Sequence, residues 1–484
     1  MKTKHFRSGT HLLLALLLWL QPLALLAQGG LTPPGPPAPG MKSLDQIQPR
    51  TPISSLPFTI SGPGSYYLTT NLTGVAGQSG ITVSADDVTL DLNGFELVGI
   101  TGASSGIASS GIHTNLTVRD GALRDWPIWG VGTASTVNGR YERLRCARDG
   151  SGGLNIGNDS VVVECVVARS PTTGVVFGGI GTGTGCVIRN CVVSASASIG
   201  IQAGGGSTVT GCTVEYPSGT GIYVGSDSIV TGCAVNSSFS VGITASQNSS
   251  VLDCDASNNS SSGITAGNGT TVRNCTAGNN GGGGIVVFDA GTIQNCAARQ
   301  NSNGGISGGN ASTVSGCTVV SNLSNGITVG NGATVVHSTV SGSFHGILAG
   351  TNCVVEACSS TLNSSNGIFV ANACRVKDCT VAQNGGSGIR GTVYCFITGN
   401  LVNGNGVGLT NSAGIYVTGD DNQIMDNNVT ACGRGIKTDT VYNLVVKNKA
   451  TVNPLNYDLV PGSIGVNSIT NDPTFAQPWV NFSF

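Results

Sequence analysis

Charge is scarce in this 484-residue sequence, since Asp, Glu, Lys and Arg make up 10% of it and the formal net charge is −2. This balance argues against a general electrostatic attraction to nucleic acid or to an anionic membrane surface. Aromatic residues contribute only 5%, and there are three Met. Gly, with 74 residues, is abundant, as are Ser, Thr, Asn and β-branched residues. This composition favours strands and tight turns over helices.

A long apolar run lies at the N-terminus. A positively charged start, MKTKHFR, precedes LLLALLLWLQPLALLA and a Leu-Leu-Ala cleavage site at 25–27, which predicts a signal peptide over 1–27. The run is short for a membrane span and is interrupted by Gln-Pro at 21–22, so a retained anchor is the weaker alternative. We therefore expect a secreted, periplasmic or cell-surface protein with no membrane span after signal cleavage.

The dominant feature of the sequence is a 21-residue repeat. The pattern apolar-x-x-Cys-x-apolar, as in VTGCTV at 209–214, starts at Ile188, Val209, Val230, Val251, Val272, Ile293, Val314 and Val335. A second column consists of Gly followed by Ile, and both columns take one step of 20, to Val355 and to Gly346. A 21-residue unit fits three short strands joined by tight turns, with apolar residues pointing inward. Including less regular copies, we predict a solenoid of about 17 coils, at about 4.8 Å per coil.

The solenoid sets the predicted domain boundaries. We expect a Pro/Gly-rich linker over 28–50 and the coils themselves over 83–452. The open ends of a solenoid need covering, so we assign 51–82 as an N-terminal cap and 453–484 as a C-terminal cap.

The sixteen Cys residues suggest disulfides in an exported protein, but their spacing argues against this. One column consists of Cys191, Cys212, Cys233, Cys254, Cys275, Cys296 and Cys317. Thiols stacked about 4.8 Å apart exceed the ~3.8 Å between Cβ atoms that a disulfide prefers. We expect buried thiols that pack as small hydrophobic groups, with a few disulfides as the alternative. No metal site is predicted, because a linear ladder without His ligands does not form a tetrahedron.

A second polar column predicts a ladder of side-chain amides along the solenoid axis. Its members are Asn259, Asn280, Asn301, Asn322, Asn363, Asn384 and Asn405.

These units resemble the pectate-lyase-like right-handed β-helices. The resemblance rests on the apolar-x-x-[Asn/Cys]-x-apolar units, the Gly-Ile turns and DDVTLDLNGFEL at 86–97. The unit GDDNQIMDNNVTACGRGIKTD at 419–439 is similar to repeats of the periplasmic β-helix family of nitrous oxide reductase maturation. The resemblance implies an all-β, single-stranded right-handed parallel β-helix. It is weak for function, because this fold carries lyases, hydrolases, adhesins and binding proteins.

Candidate binding residues concentrate between 118 and 150. Arg, Asp and Trp side chains on neighbouring coils suit acidic sugars, because aromatic stacking and bidentate donors act together. The candidates for substrate binding are Arg119, Arg124, Asp125, Trp126, Trp129, Arg140 and Arg143. The alternative is that these charges solvate a wide early coil and that the Trp residues fill a loop.

A second polar region holds Asp420, Asp421, Arg434, Lys437 and Asp439. Its resemblance to the motifs of pectin hydrolases fails, because His345-Gly346 lies before the Asp pair instead of between the motifs. The catalytic residues, if any, are unknown.

The leading hypothesis is therefore an exported, non-catalytic module that binds a polysaccharide or an envelope component. A lyase acting on an acidic glycan is the alternative, and only that activity would call for calcium. A periplasmic metal-handling accessory protein is the second alternative, and no cofactor is otherwise indicated.

Overall fold

A computed structural model describes residues 49–169, 177–465, 468–469 and 479–483. The chain divides into two units, Met1–Arg50 and Thr51–Phe484, and nearly all described residues belong to the second. The predicted signal peptide, most of the linker and much of the predicted C-terminal cap lie outside the described residues. Regular secondary structure in the described residues consists of strands, and none of it is a helix long and apolar enough to span a membrane.

Each regular coil contributes three short strands to three parallel sheets. Sheet 1 consists of Phe58–Ile60, Ile81–Val83, Ile107–Ser109, Trp129–Thr133, Gly152–Ile156, Phe177–Thr182, Ile199–Ala203, Ile222–Val224, Ile243–Ala245, Ile264–Ala266, Ile285–Val287, Ile306–Gly308, Ile327–Val329, Ile347–Ala349, Ile368–Val370, Ile389–Gly391, Ile415–Val417, Ile436–Thr438 and Tyr457–Asp458.

Sheets 2 and 3 follow on either side of a bend, and Thr117–Arg124 and Arg140–Ala147 run through both. The other strands of sheet 2 are Thr51–Ile53, Gly64–Leu68, Val88–Asp91, Val161–Val163, Val187–Arg189, Thr208–Thr210, Ile229–Thr231, Ser250–Leu252, Thr271–Arg273, Thr292–Gln294, Thr313–Ser315, Thr334–Val336, Val354–Glu356, Arg375–Lys377, Phe396–Thr398, Gln423–Met425, Leu444–Val446 and Ile464–Gly465. The other strands of sheet 3 are Leu72–Thr73, Glu96–Val98, Val166–Ala168, Val192–Ser194, Thr213–Glu215, Ala234–Asn236, Asp255–Ser257, Thr276–Gly278, Ala297–Arg299, Thr318–Val320, Thr339–Ser341, Ser359–Thr361, Thr380–Ala382, Leu401–Asn403, Asn428–Thr430, Lys449–Thr451, Ser468–Ile469 and Asn481–Ser483. His113–Thr114 and Thr136–Val137 form a separate two-stranded sheet.

The pairing register confirms the repeat. Ile222 pairs with Ile243, and Ile243 with Ile264, one repeat of 21 residues further on. The aliphatic columns of the three sheets meet in one continuous buried core. Sheet 1 has 19 strands in the described residues, so the solenoid has about two coils more than the predicted 17. At about 4.8 Å per coil these coils extend over roughly 90 Å.

The additional coils lie in the segment that was predicted as the N-terminal cap. Residues 51–82 already carry strands that pair in register, with Phe58 opposite Ile81 and Ile53 opposite Leu68. Their apolar residues are too irregularly spaced for the 21-residue pattern to include them. At the other end, Asn481 accepts a hydrogen bond from the backbone N–H of Asn448 at 3.0 Å, and so continues the coil geometry.

The Gly of each Gly-Ile pair is required by close packing. A Cβ atom on Gly221 would lie 2.2 Å from Val235 Cγ1 and 2.6 Å from the carbonyl oxygen of Gly242. The chain enters sheet 1 at this point with no room for a side chain, so Gly recurs in every regular coil.

The amide ladder is confirmed as a structural element. Asn280 Nδ2 donates to Asn301 Oδ1 at 2.9 Å and to the carbonyl of Ala256 at 3.0 Å, and Asn301 repeats this geometry toward Asn322. These amides are buried, and their hydrogen bonds satisfy polar groups that would otherwise be costly to bury.

The thiols form the predicted buried ladder. All sixteen Cys residues are free and buried. Cys275 Sγ lies 3.2 Å from the carbonyl oxygen of Arg273 and 3.4 Å from that of Val251, so the thiol donates weakly to backbone acceptors. Burial raises the pKa of thiols such as Cys395 and Cys432, which keeps them protonated and unreactive.

Candidate functional site

The middle residue of each sheet 1 strand points away from the core and forms a row along the solenoid, which we call the outer row. In most strands this residue is half-exposed between two buried neighbours. From the N-terminal side, its regular part is Gln202, Tyr223, Thr244, Thr265, Val286, Ser307, Thr328, Leu348, Phe369, Arg390, Tyr416 and Lys437. The row is therefore uncharged over its first eight positions and changes character after Leu348.

Aromatic and cationic side chains alternate at the C-terminal end of the outer row. The guanidinium of Arg390 lies over two rings, with Cζ 5.4 Å from the centroid of Phe369 and 5.3 Å from that of Tyr416. Lys437 Nζ lies 4.1 Å from the Tyr416 centroid. Contacts of a cation with a ring face are attractive, and each holds the cation in a defined position. We call these four residues the aromatic–cation segment.

Arg390, unlike Lys377, Arg434 and Lys437, has no carboxylate partner within 4 Å in the described part of the chain, although its positive charge contributes to the lowered pKa of Asp439. Its Nε is buried and makes no hydrogen bond there. A guanidinium presents a planar set of N–H donors suited to carboxylate, sulfate or phosphate oxygens. Arg390 is thus oriented by two rings and retains unused donors.

The neighbouring Lys437 is engaged in a local network. Its ammonium and the hydroxyl of Tyr416 both donate to the carboxylate of Asp439. Burial opposes the charge on each group, but these hydrogen bonds outweigh it, so the pKa of Lys437 is raised and that of Asp439 is lowered. Both groups are therefore charged at neutral pH, and the network fixes one side of the Tyr416 ring.

His345 lies at the other end of the segment. Its ring is 6.0 Å from that of Phe369, and its Nδ1 accepts a hydrogen bond from the backbone N–H of Asn366 at 3.2 Å. Burial and the positive charge of Arg390 lower the pKa of His345. The imidazole is therefore neutral at neutral pH, with the proton on Nε2.

Two open clefts lie over the uncharged part of the outer row. One, of about 260 Å³, is lined by Val286, Ser307 and Thr328 together with residues such as Asn303 and Asn325. The other, of about 400 Å³, is lined by Thr244 and Thr265 and is flanked by Gln247, Asn268 and Phe288. Their linings offer hydroxyl and amide groups and, at Phe288, an exposed ring.

A third cleft, of about 550 Å³, lies beside the loop 403–412 and is lined largely by apolar residues such as Val407, Leu409 and Leu455. Arg434 borders it and forms an ion pair with Asp458 at 3.2 Å.

The arginine patch predicted between 118 and 150 is a network of ion pairs between coils. Arg143 binds Asp120 of the preceding coil with two hydrogen bonds of 2.6 and 3.0 Å. Arg148 binds Asp125 in the same way, at 2.7 and 2.8 Å. The remaining pairs are Arg119 with Asp91 and Asp120, Arg124 with Glu96 and Asp125, and Arg140 and Arg143 with Glu142. The cations of this patch are thus largely neutralised by their own coils.

The two predicted Trp residues occupy different environments. Trp126 is fully buried, and its Nε1 donates to the carbonyl of Leu97 at 3.1 Å. Gly74 and Gly80 make room for the ring, since a Cβ at either position would lie 2.6 or 2.8 Å from it. Trp126 therefore belongs to the core and not to a binding surface. Trp129 is half-buried at the start of its sheet 1 strand, above Gly152.

A buried carboxyl lies behind the patch. Asp149 Oδ1 accepts a hydrogen bond from the backbone N–H of Trp126 at 3.0 Å. Burial raises the pKa of Asp149 to about 8, and the nearby Asp125 carboxylate acts in the same direction. Asp149 is therefore largely protonated at neutral pH, which suits its position inside the solenoid.

The second predicted region is divided by the fold. Lys437 joins the outer row, with Arg434 and Asp439 beside it, whereas Asp421 adopts a positive φ of 57° in the turn before sheet 2. His345, which is distant in sequence, lies on the same face as Arg390. Phe369, Arg390 and Tyr416 were not among the residues predicted from the sequence. The position directly after each Gly-Ile pair would have identified all three.

The described residues contain no group of three or more His, Cys, Asp or Glu side chains placed to hold a metal ion. The buried thiols of the cysteine ladder do not form such a group.

The three-sheet architecture is that of a parallel β-helix, and two family models match parts of the sequence. The model described as a right-handed β-helix region matches residues 149–292 and 230–357. The model described as periplasmic copper-binding protein (NosD) matches residues 309–474. The chain is a parallel β-helix and carries NosD-like repeats in its C-terminal part. No curated protein sequence matches the chain.

The chain is also similar to several solved structures at low sequence identity. The A-module of the Azotobacter vinelandii mannuronan C-5 epimerase AlgE4 is 13% identical, with 84% of this chain and 91% of that chain covered and a TM-score of 0.28. The periplasmic alginate epimerase AlgG is 11% identical, with 80% and 79% covered and a TM-score of 0.24. Tailspike protein 3 of bacteriophage CBA120 is 12% identical, with 84% and 60% covered and a TM-score of 0.29. These values do not transfer an activity to this chain.

Proposed function

We propose that this protein is an exported, non-catalytic β-helix that binds an acidic polysaccharide along the outer row of sheet 1. The observation that carries the proposal is Arg390, a guanidinium held between Phe369 and Tyr416 without a carboxylate of its own among the described residues. An anionic group of a glycan would supply an acceptor for the terminal NH₂ groups of this guanidinium, since Nε itself is buried. A charge-assisted, bidentate contact of this kind is stronger than a neutral hydrogen bond.

The arginine patch is less suited to this role. Binding an external carboxylate there would require breaking ion pairs such as Arg143–Asp120 or Arg148–Asp125. In each of these pairs the guanidinium already donates two hydrogen bonds to the carboxylate. Export is supported by the predicted signal peptide and by the description of the matching NosD model as periplasmic. Copper handling receives no support from the side chains of the described residues.

The test compares two substitutions that remove the same charge. Binding of anionic glycans of high and of low charge density, namely a polyuronate, a sulfated glycan and a neutral oligosaccharide that ends in one uronate, would be measured by isothermal titration calorimetry with the wild-type protein, together with binding of a neutral glucan. We expect Arg390→Gln to weaken the binding of an anionic glycan about tenfold or more, which corresponds to the loss of roughly 1.4 kcal/mol. Arg148→Gln is the control and should leave the affinity unchanged.

Two results would contradict the proposal. One is an equal loss of affinity in both variants, and the other is the absence of wild-type binding to every anionic glycan. The same incubations also test the enzyme alternative. Ultraviolet absorbance of an unsaturated uronate that grows with time, and is lost in Tyr416→Phe or Lys437→Ala protein, would establish a lyase.

A further inference from the structure

We infer that the glycan is sparsely charged, with one anionic group at Arg390 and a run of neutral sugars over the preceding coils. This inference rests on the proposed function and specifies the ligand of the same surface. Its basis is the distribution of charge along the outer row, together with the clefts over the row.

The outer row carries no charged side chain at neutral pH between Gln202 and Leu348. Its members over these eight coils are hydroxyl, amide, aliphatic and phenol side chains. The acidic residues at the margin, Asp227 and Asp289, adjoin the cleft residues Ser226 and Phe288 in sequence. These two carboxylates follow cleft residues directly in the chain, and their negative charge would repel a polyanion.

A fully charged polyuronate is a poor match for this stretch. Lying along the row, it would place carboxylates over Thr265, Val286 and Ser307 with no cation to pair with them. An anion that loses water without gaining a partner is strongly disfavoured. The cost would recur at each coil and would offset the gain at Arg390.

Neutral sugars match the same stretch in both shape and chemistry. The clefts of about 260 and 400 Å³ expose hydroxyl and amide groups that can donate to and accept from sugar hydroxyls. Phe288 is 52% exposed at the edge of one cleft and offers an apolar face to a pyranose ring. Thr328 lies three coils from Arg390, about 14 Å along the axis, so one extended chain can reach both.

The test uses three oligosaccharides of equal length: a neutral chain, the same chain with one terminal uronate, and an oligouronate charged at every residue. Dissociation constants would be measured by calorimetry with the full-length protein. We expect the dissociation constant of the singly charged chain to be lower than that of either other chain by about tenfold or more.

A gain-of-charge variant sharpens the test. Ser307→Lys combined with Thr265→Lys places cations on the uncharged stretch and should improve the affinity for the oligouronate about tenfold. The affinity for the singly charged chain should not decrease. Retention of the wild-type circular dichroism spectrum would confirm that the variant folds.

The outcomes separate this inference from the proposed function. Oligouronate binding to the wild type that equals or exceeds that of the singly charged chain, with loss in Arg390→Gln, would overturn sparse charge and leave polysaccharide binding intact. Failure of all three chains to bind would overturn both.

Discussion

Arginine side chains serve opposite purposes in the early and the late coils. In the arginine patch, Arg143 and Arg148 each reach across one coil and bind a carboxylate with two hydrogen bonds. In the aromatic–cation segment, Arg390 reaches toward the neighbouring coils and meets rings instead of carboxylates. The first arrangement consumes the donors of the guanidinium, whereas the second positions the guanidinium and leaves donors available.

The comparison shows that the local density of charged residues is a poor guide to a binding surface in a solenoid. Stacking places like positions side by side, so a dense run of Arg and Asp can pair with itself from coil to coil. A single cation among rings is less visible in the sequence and is more available to a ligand.

The largest expected effect concerns the two Trp residues of the early coils. Trp126→Ala removes a fully buried ring and should lower the free energy of unfolding by about 3–5 kcal/mol, because the surrounding core cannot close the cavity. Trp129→Ala, at a half-buried ring three residues away, should cost far less. Urea unfolding followed by circular dichroism measures both. Equal losses would contradict the assignment of Trp126 alone to the core.

The second expected effect is on the pH dependence of the free energy of unfolding, which should differ between the buried and the ion-paired carboxyl groups of the early coils. The folded-state pKa of Asp149 is about 8, whereas an unfolded Asp titrates near 3.9, so the folded protein holds a proton between these values that the unfolded chain has released. The free energy of unfolding should therefore fall as the pH rises from 5 to 8, by an amount on the order of a few kcal/mol. Asp149→Asn keeps the hydrogen bond to Trp126 and should remove this slope.

Asp120 and Asp125 should show the opposite sign. Hydrogen bonds from Arg143 and Arg148 lower their pKa values in the folded protein, so their contribution is present above about pH 4 and is lost as the pH falls further. The predicted fall in stability with rising pH, which we attribute to Asp149, is tested by measuring the free energy of unfolding of the wild type and of Asp149→Asn at pH 5 and pH 8. A slope that survives in Asp149→Asn would show that another group causes it.

The smallest expected effect compares the two arginine sites directly. Arg143 is 46% exposed, so Arg143→Ala should lower the free energy of unfolding only slightly and should leave glycan binding unchanged. A double-mutant cycle with Asp120→Ala would isolate the energy of the pair, which should shrink at high salt. A loss of glycan binding in Arg143→Ala would erase the distinction between the two regions.

The sequence predicted most of the fold because each coil repeats the same inward residue at the same spacing. Cys233, Cys254 and Cys275, like Ile243 and Ile264, occupy equivalent positions, so their periodicity is visible without a structure. The coils in 51–82 were not predicted from the sequence because their inward residues do not follow the 21-residue spacing.

The candidate site was less predictable for a physical reason. Outward residues are not constrained by the core, so the outer row varies freely from Thr328 through Phe369 to Lys437. The insertion at 403–412 also lengthens the step between Arg390 and Tyr416 to 26 residues, although the two side chains are neighbours in space. Trp126 was misleading for a related reason, since the glycines that accommodate its ring lie on other coils.

The thiol ladder can make unfolding irreversible. While the solenoid is intact, its sixteen thiols are buried, so oxidants in solution do not reach them. Once the chain opens in an oxidising compartment, the same thiols become accessible and can cross-link at random within one chain or between chains. Refolding then competes with a chemical reaction, so in such a compartment the lifetime of the protein would be set by the rate at which it first opens and not by the equilibrium between folded and unfolded forms.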